Sequence, residues 1–368
     1  MRIGIDARFV GPQGTGIGVY TENLIKNLQK IDKHNQYFIF LHKNNWSHLK
    51  FTNKKFTKVL ADISWYSLEE QTKLSGIFKS QNLDLLHVPH FNVPIIYRGK
   101  FIVTIHDLIH HHFPQTSATT KNFILFKLKR AAYHRIFKNA ITKSKKIIVP
   151  SNFVKEDLIK TFKIRPQKIV VTYEAAEDEY FTDQRSTIND QRSTIIYVGN
   201  AYPHKNINLL LNAFKISNLA NITTLKLILV IPRNVFSDRL LGEIKNRNLQ
   251  DKIEILNYKR PSELIKLFQN SQAYIFPSLA EGFGIPGLNA MAAKVPLLCS
   301  NIPVFHEIYG NAAFYFDPKD PHDLASKIEE VLIVSRTKEK LIKEGNQQVK
   351  IYSWLKMAKE TSEVYQSA

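Results

Sequence analysis

Short runs of β-branched and aromatic residues recur along this chain with room for a helix between successive runs, and that alternation constrains its fold more than any other feature. The first series is Arg2–Ala7, Tyr37–Leu41, Leu83–Val88, Phe101–Ile105, Lys146–Val149 and Lys168–Thr172. A second runs through Thr194–Val198, Leu225–Val230, Lys252–Leu256, Ala273–Phe276, Val295–Cys299 and Ala313–Phe316. Apolar runs without strict alternation suit strands buried on both faces, as in the parallel sheets of βαβ units. Two series predict two doubly wound α/β domains, and 368 residues are enough for a hydrophobic core in each. The polar stretch 183–193 is nearly a tandem copy of itself and is expected to be an exposed linker. The expected organisation is a first domain over 1–182, that linker, a second domain over 194–350, and a final segment, 351–368. In that segment Trp354, Leu355, Ala358 and Tyr365 fall at helical spacing, which predicts a helix packed on a domain face.

Composition removes several classes. A hydrophobic fraction of 44% with 23% charged residues is ordinary for a globular chain and excludes wholesale disorder. Apolar runs such as Leu225–Ile231 stop well short of the roughly 18–20 residues that span a bilayer, so no transmembrane helix is expected. Asp6 and Arg8 interrupt any signal-peptide core, and the single Cys299 cannot form an internal disulfide; both point to the cytoplasm.

The net charge of +19 is the abnormal number, and it asks for a polyanion: nucleic acid, a nucleotide phosphate or an anionic membrane surface. No zinc-finger spacing, RNP motif or recognition helix is present, so nucleic acid is not the expected partner. A helix near Asn122–Phe137 carries Lys127, Lys129, Arg130, Arg135 and Lys138 beside an apolar stripe. It suits an anionic lipid surface, although an ordinary solvated helix with its stripe in the core is the simpler reading.

Three loops carry candidate chemistry. Gly11-Pro12-Gln13-Gly14-Thr15-Gly16-Ile17-Gly18 lies between the first strand and a helix, where glycines let backbone amides approach an anion. Its length does not match the dinucleotide fingerprint and no acidic residue ends the second strand, which disfavours NAD. Gly199-Asn200-Ala201-Tyr202-Pro203-His204-Lys205-Asn206 follows the first strand of the second series and presents Lys205 at a strand's C-terminal end, a position suited to neutralising a diphosphate. The third loop is the most specific. Strand Ala273–Phe276 leads through Pro277-Ser278-Leu279-Ala280-Glu281-Gly282-Phe283-Gly284 into a helix of small apolar residues from Ile285, so backbone amides there could meet phosphate or sugar hydroxyls and Glu281 could accept from those hydroxyls.

With these residues the chain resembles glycosyltransferase family 4, retaining enzymes of the GT-B fold. The resemblance also covers Ile3–Arg8, Tyr20, Trp65–Gln71, Asp84–His90, Thr104–Leu108, Pro150–Phe153, Phe305–Ile308 and Phe316–Pro318. It implies two Rossmann-like domains with parallel sheets facing across a cleft, acceptor on the N-terminal side, nucleotide-sugar on the C-terminal side, and a last helix crossing back to the first domain. By the same resemblance, Lys205 is similar to the lysine on the donor diphosphate, and Gly282, Phe283, Gly284 and Ile285 correspond to the amides holding phosphate and hexose. Glu281 resembles the first Glu of a Glu, seven residues, Glu motif that contacts the transferred sugar. His106 corresponds to a histidine beside that sugar, and Gly16 to a loop closing over the diphosphate, while Gly199 opens the phosphate loop.

Two positions depart from the pattern. Asn289 stands where the family has its second Glu, which holds the ribose, and Asn200 stands where an arginine is frequent; an amide bonds hydroxyls without charge assistance. The implied reaction is retaining hexosyl transfer without a metal or other cofactor, in keeping with a sequence that has no Asp-X-Asp motif. Mannosyl- and rhamnosyltransferases of surface polysaccharide synthesis are the similar subgroup, so GDP-mannose is the expected donor, a glycan or lipid-linked molecule the acceptor, and the inner membrane face a peripheral location. A non-catalytic nucleotide-sugar-binding protein is the rival class. His87, His90, His106 and His110–His112 raise a zinc site, but His110–His112 follow a strand and precede Phe113-Pro114, which reads as a loop, so a sugar-contacting His106 is expected ahead of purely structural histidines and of zinc. Trp65 and Tyr66 are expected to pack in the core rather than to form an acceptor platform.

Overall fold

The computed structural model describes residues 1–11, 16–113, 123–181, 194–216, 224–257 and 259–368. The chain divides into two compact units, Met1–Glu174 with Ser353–Ala368, and Ala175–Tyr352. The expected linker at 183–193 lies outside the described residues.

Unit one is built on seven parallel strands: β1 (Arg2–Asp6), β2 (Gln36–Leu41), β3 (Phe56–Leu60), β4 (Leu85–Val88), β5 (Phe101–Thr104), β6 (Ile147–Val149) and β7 (Ile169–Val171), in the order β3-β2-β1-β4-β5-β6-β7. Its central register pairs Ile5 with Ile39 on one side and with His87 on the other. A strand overlaps each of the six expected runs, with β2 beginning one residue before its run. The seventh, β3, has no counterpart among those runs, because it is an edge strand whose Lys58 and half-exposed Leu60 break the apolar pattern. Polar and charged residues on an edge discourage pairing with other chains, and they also erase the sequence signal.

Unit two repeats the plan with six parallel strands: β8 (Thr194–Val198), β9 (Lys226–Val230), β10 (Ile253–Leu256), β11 (Ala273–Phe276), β12 (Leu297–Ser300) and β13 (Phe314–Phe316), in the order β10-β9-β8-β11-β12-β13. The core under this sheet gathers Ile195, Tyr197, Leu227, Leu229 and Ile275 with helix residues Leu210, Leu324 and Ile328, all almost fully buried. Cys299 is buried in β12, as core filler.

The last helix, Trp354–Gln366, follows unit two in the chain and packs in unit one against the helix Gly16–Ile31. Its start is capped by Ser353, which accepts from the amide of Lys356. Trp354, Met357, Ala358, Thr361, Val364 and Tyr365 form its buried face; Trp354, Ala358 and Tyr365 fall there as the helical spacing predicts, whereas Leu355, expected with them, lies off that face and is exposed. Tyr365 reaches the sheet: its hydroxyl lies 2.8 Å from Nδ1 of His87 on β4, and His87 Nε2 lies 2.8 Å from the Thr104 hydroxyl on β5. Tyr20, from the helix Gly16–Ile31, bonds the same threonine at 3.2 Å.

Burial, helped by the charge of His106, pushes the His87 imidazole down to about 3. His90 falls to about 3 for the same leading reason. In the unfolded chain both would titrate near 6.5, so the unfolded state takes up protons first as pH falls. The part of the stability that rests on these two neutral imidazoles is therefore fully present above about pH 6.5 and is lost progressively as pH falls towards about 3. Urea midpoints measured from about pH 7.5 to pH 4.5 should decline, and His87→Gln should shallow the decline; a flat profile would contradict the assignment.

Candidate active site

Open parallel sheets bind ligands outside the carboxyl ends of their strands, where the strand order reverses direction. In unit two that point lies between β8 and β11. The loop after β8 holds Gly199 to Asn206 and the loop after β11 holds Glu281 to Gly284, so the two loops singled out in the sequence meet at the switch point. The amide of Leu279 donates to the carbonyl of His204 at 2.8 Å and ties one loop to the other.

Each loop is fixed by its own residues. The Tyr197 hydroxyl donates to the carbonyl of Asn200 at 2.7 Å, and a Cβ at Gly199 would come within 2.8 Å of that hydroxyl. Asn206 adopts the left-handed region at φ 57° and donates from Nδ2 to the carbonyl of Pro318 at 2.8 Å. Lys205 is thereby held with its Nζ 2.5 Å from Oε1 of Glu281, which also accepts from the Ser278 hydroxyl at 2.6 Å. The lysine and the carboxylate are only partly exposed, at 18% and 12%, so their pairing is weakly screened by water. A diphosphate arriving here meets a cation already oriented and a carboxylate able to turn to hydroxyl groups.

Behind this pair, Phe283, Gly284 and Ile285 follow buried Gly282 and lead into the helix Ile285–Ala292. Gly284 has φ 108°, and its carbonyl accepts from Tyr309 at 2.5 Å. A Cβ at Gly284 or Gly287 would run into the Tyr309 hydroxyl, so this corner is built for glycine. The positive end of the helix dipole points at the loop that carries Glu281.

Asn289 follows on the same helix, 5% exposed. Its side chain exchanges two hydrogen bonds with Glu177: the Glu177 amide donates to Oδ1 at 3.0 Å, and Nδ2 donates to Oε1 at 3.1 Å. Asn289 thus fastens the segment that opens unit two, together with Tyr180, whose ring stands edge-on to Phe268 at 5.5 Å. Glu177 carries no sequence signal of its own. Asn289→Glu would remove the Nδ2 donor and set two carboxylates together; a loss of about 1–3 kcal/mol is expected. Denaturant unfolding should show it, with recovery when Glu177→Gln is added, and no loss in the single variant would contradict the pairing.

In unit one, His106 follows β5. Its Nδ1 lies 3.0 Å from Oε1 of Glu174 and its Nε2 3.1 Å from the carbonyl of Pro89, with Tyr20 edge-on at 4.9 Å. Both ring nitrogens are therefore engaged within the unit. Gly16 starts its helix exposed, and the space where a side chain would begin is open, so nothing steric requires glycine there. Pro12 to Thr15, including Gly14, lie outside the described residues.

The switch point of unit one lies between β1 and β4. Sequence reasoning did not connect the residues that meet there. Arg8, fully buried, bonds Asp6 at 2.8 Å through Nε and Nη2, Glu70 at 2.8 Å through Nη2, and the carbonyl of Ile63 at 2.9 Å. Burial alone would lower the Arg8 pKa; the facing carboxylates outweigh it and raise it, while burial raises Glu70. Glu70 Oε1 also accepts from Asn92 Nδ2 at 2.5 Å, and its Oε2 accepts from the Tyr66 amide at 2.9 Å. Asn92 Oδ1 lies 3.1 Å from Nδ1 of His90. Phe9 stacks on Trp65 at 4.4 Å and lies 5.2 Å from the His90 ring.

Among the described residues no three His, Cys, Asp or Glu side chains are grouped to hold a metal ion. His112 pairs instead with Asp157 at 2.8 Å, and His87 bridges Tyr365 and Thr104. Among the same residues no helix is long and apolar enough to cross a membrane.

Known proteins share this organisation. Residues 14–179 match the model described as Glycosyltransferase Family 4, and residues 178–348 the model described as Glycosyl transferases group 1. The O-antigen chain mannosyltransferase RfbU of Salmonella typhimurium is 27% identical over 280 residues, covering 76% of this chain and 74% of RfbU. Sucrose-phosphate synthase of Thermosynechococcus elongatus superposes with a TM-score of 0.79 at 16% identity, over 100% of this chain and 98% of its own. HepE of Anabaena, solved with UDP and glucose, superposes with a TM-score of 0.74 at 13% identity, over 100% of both chains. The two matched models between them run from residue 14 to residue 348, the two sheets and the solved structures agree on the architecture, and the chain belongs to the family 4 glycosyltransferases of the GT-B fold.

Proposed function

We propose that this chain is a retaining hexosyltransferase that moves a sugar, mannose in the first instance, from a nucleoside-diphosphate sugar such as GDP-mannose to a glycan or lipid-linked acceptor in cell-surface polysaccharide synthesis. The observation that carries the reading is the Lys205–Glu281 pair at the switch point of unit two. The O-antigen chain activity in the name of RfbU supports mannose and a surface glycan. The UDP and glucose held by HepE support a nucleotide-sugar donor.

In this reading Lys205 leaves Glu281 for the donor diphosphate and stabilises the charge that grows on it as the sugar departs. Glu281 then takes sugar hydroxyls, and the helix dipole behind Gly284 and Ile285 adds to the field on the phosphate. The acceptor hydroxyl attacks the anomeric carbon from the face the diphosphate leaves and gives its proton to an oxygen of that departing diphosphate, so the new glycosidic bond forms as the sugar–phosphate bond breaks. Lys205 and the loop amides would supply the positive charge, so the reaction is written without a metal.

Thermal-shift binding against GDP, UDP, ADP, dTDP and their common sugars, with donor hydrolysis followed in parallel, tests the reading. One nucleotide-sugar should stabilise the protein and be slowly hydrolysed; no binding to any of them would overturn it in favour of a non-catalytic role.

An anionic membrane surface is the second partner proposed, at the inner face. On the helix Phe123–Lys143 the side chains of Lys127, Lys129, Arg130, Arg135 and Lys138 are exposed. The protein should sediment with phosphatidylglycerol vesicles at low ionic strength and be released near about 0.5 M salt, where screening is nearly complete beyond contact. Absence of binding, or binding indifferent to salt, would contradict a peripheral electrostatic hold.

A further inference from the structure

A second cluster, in unit one, is as organised as the Lys205–Glu281 pair and has no part in the chemistry assigned to that pair. Phe9 closely follows β1 and His90 closely follows β4, so both stand at the switch point where an open sheet receives a ligand. Trp65 and Tyr66 join them from the loop after β3, Trp65 stacked on Phe9 at 4.4 Å and Tyr66 6.0 Å from the His90 ring.

Three observations argue that this group faces a ligand rather than filling a core. Tyr66 is 64% exposed and holds a left-handed backbone at φ 57°, a conformation costly for an aromatic residue. That conformation is imposed from below: the Tyr66 amide donates to Glu70, which the buried Arg8 holds in place. Trp65 Nε1 is buried and meets no hydrogen-bond partner among the described residues. His90, 9% exposed, has its tautomer set by the same network, because Asn92 spends its Nδ2 donor on Glu70 and turns Oδ1 to His90 Nδ1. The Nδ1 proton is committed there, and Nε2 is left as an acceptor.

The chemistry of the group selects its ligand. Aromatic faces, one indole donor and one imidazole acceptor suit a ring with C–H faces and hydroxyl edges. The charges beneath exclude a phosphate, since two carboxylates, Asp6 and Glu70, surround the single Arg8 and engage its guanidinium.

We infer that Phe9, Trp65, Tyr66 and His90 form a subsite for a neutral pyranose ring, the acceptor sugar, with Tyr66 as its outer wall. The word acceptor rests on the transferase reading of this chain; the sugar subsite itself does not. The expectation that Trp65 and Tyr66 simply pack is thereby revised: Trp65 packs on Phe9, and Tyr66 is displayed.

The indole N–H resonance of Trp65, identified by its absence in Trp65→Phe, reports on the subsite directly. Titration of the full chain with methyl α-mannopyranoside, and then with the matching glucoside and galactoside, should move that resonance with at least one of them. In Tyr66→Gly and Tyr66→Asn, both suited to a left-handed backbone, the apparent Kd for that glycoside should rise about tenfold, the loss expected of one aromatic wall. Lys205→Ala should titrate as the parent does, which places the effect in unit one. A resonance that no glycoside moves, or an unchanged Kd in both Tyr66 variants, overturns the subsite. The titration uses neither donor nor turnover, so failure to bind any nucleoside diphosphate would sink the transferase reading and leave this result standing.

Discussion

Replacing Lys205 with alanine should lower turnover about 100- to 1,000-fold, the usual consequence of deleting one preorganised group that meets developing charge. The loop scaffold predicts that the loss falls on chemistry and not on the fold. Tyr197 bonds the carbonyl of Asn200, Asn206 bonds Pro318, and the amide of Leu279 bonds His204, none of them through the lysine side chain. Glu281 keeps the Ser278 hydroxyl when its lysine is gone. Unfolding free energy should fall by no more than about 1–3 kcal/mol, the cost of leaving a partly buried, hydrogen-bonded carboxylate without one of its partners. Steady-state transfer and urea unfolding on the same preparation decide the matter. Parent-like turnover would remove Lys205 from the site, and a collapse of stability with the activity would make its role structural.

Arg8→Met should be the most destabilising single change in unit one, at about 3–5 kcal/mol. The guanidinium is fully buried and satisfies Asp6, Glu70 and the carbonyl of Ile63 at once. Its removal leaves two carboxylates in a dry site with no cation, and releases the residue that holds Tyr66 and Asn92 in place. A buried ion cluster is costly to break by halves but not costly to replace entire. The triple variant Asp6→Asn, Arg8→Met, Glu70→Gln should therefore regain most of the loss. Urea unfolding monitored by fluorescence tests both, and a single-variant loss below about 1 kcal/mol would show that the cluster is open to water.

The sequence reveals what depends on local pattern. Both sheets follow from apolar runs spaced by helices, because a strand buried on both faces cannot hide its composition. The edge strand β3 escapes for the same reason, its solvent side having to be polar. The loops with Lys205 and Glu281 are legible because glycines placed between a strand and the helix that follows it mark a close approach of backbone to ligand or to a neighbouring ring. What stays hidden is whatever depends on distant partners. Arg8 and Glu70 are 62 residues apart and Asn289 and Glu177 are 112 apart, and neither pair has a spacing rule that could bring it together. Asn289 shows the effect most plainly: in the sequence it is a departure in a ligand motif, and in the structure it is a clamp on the segment that opens unit two.

The return of the helix Trp354–Gln366 to unit one sets an order on biosynthesis. Its Tyr365 supplies the partner of His87 in the middle of the first sheet, yet it is translated only after every residue of unit two. On the ribosome, unit one must therefore wait, with His87 lacking that partner and the face of the helix Gly16–Ile31 uncovered, while the later unit emerges as a continuous stretch able to collapse by itself. Unit one is thus completed after unit two, although most of it is made first.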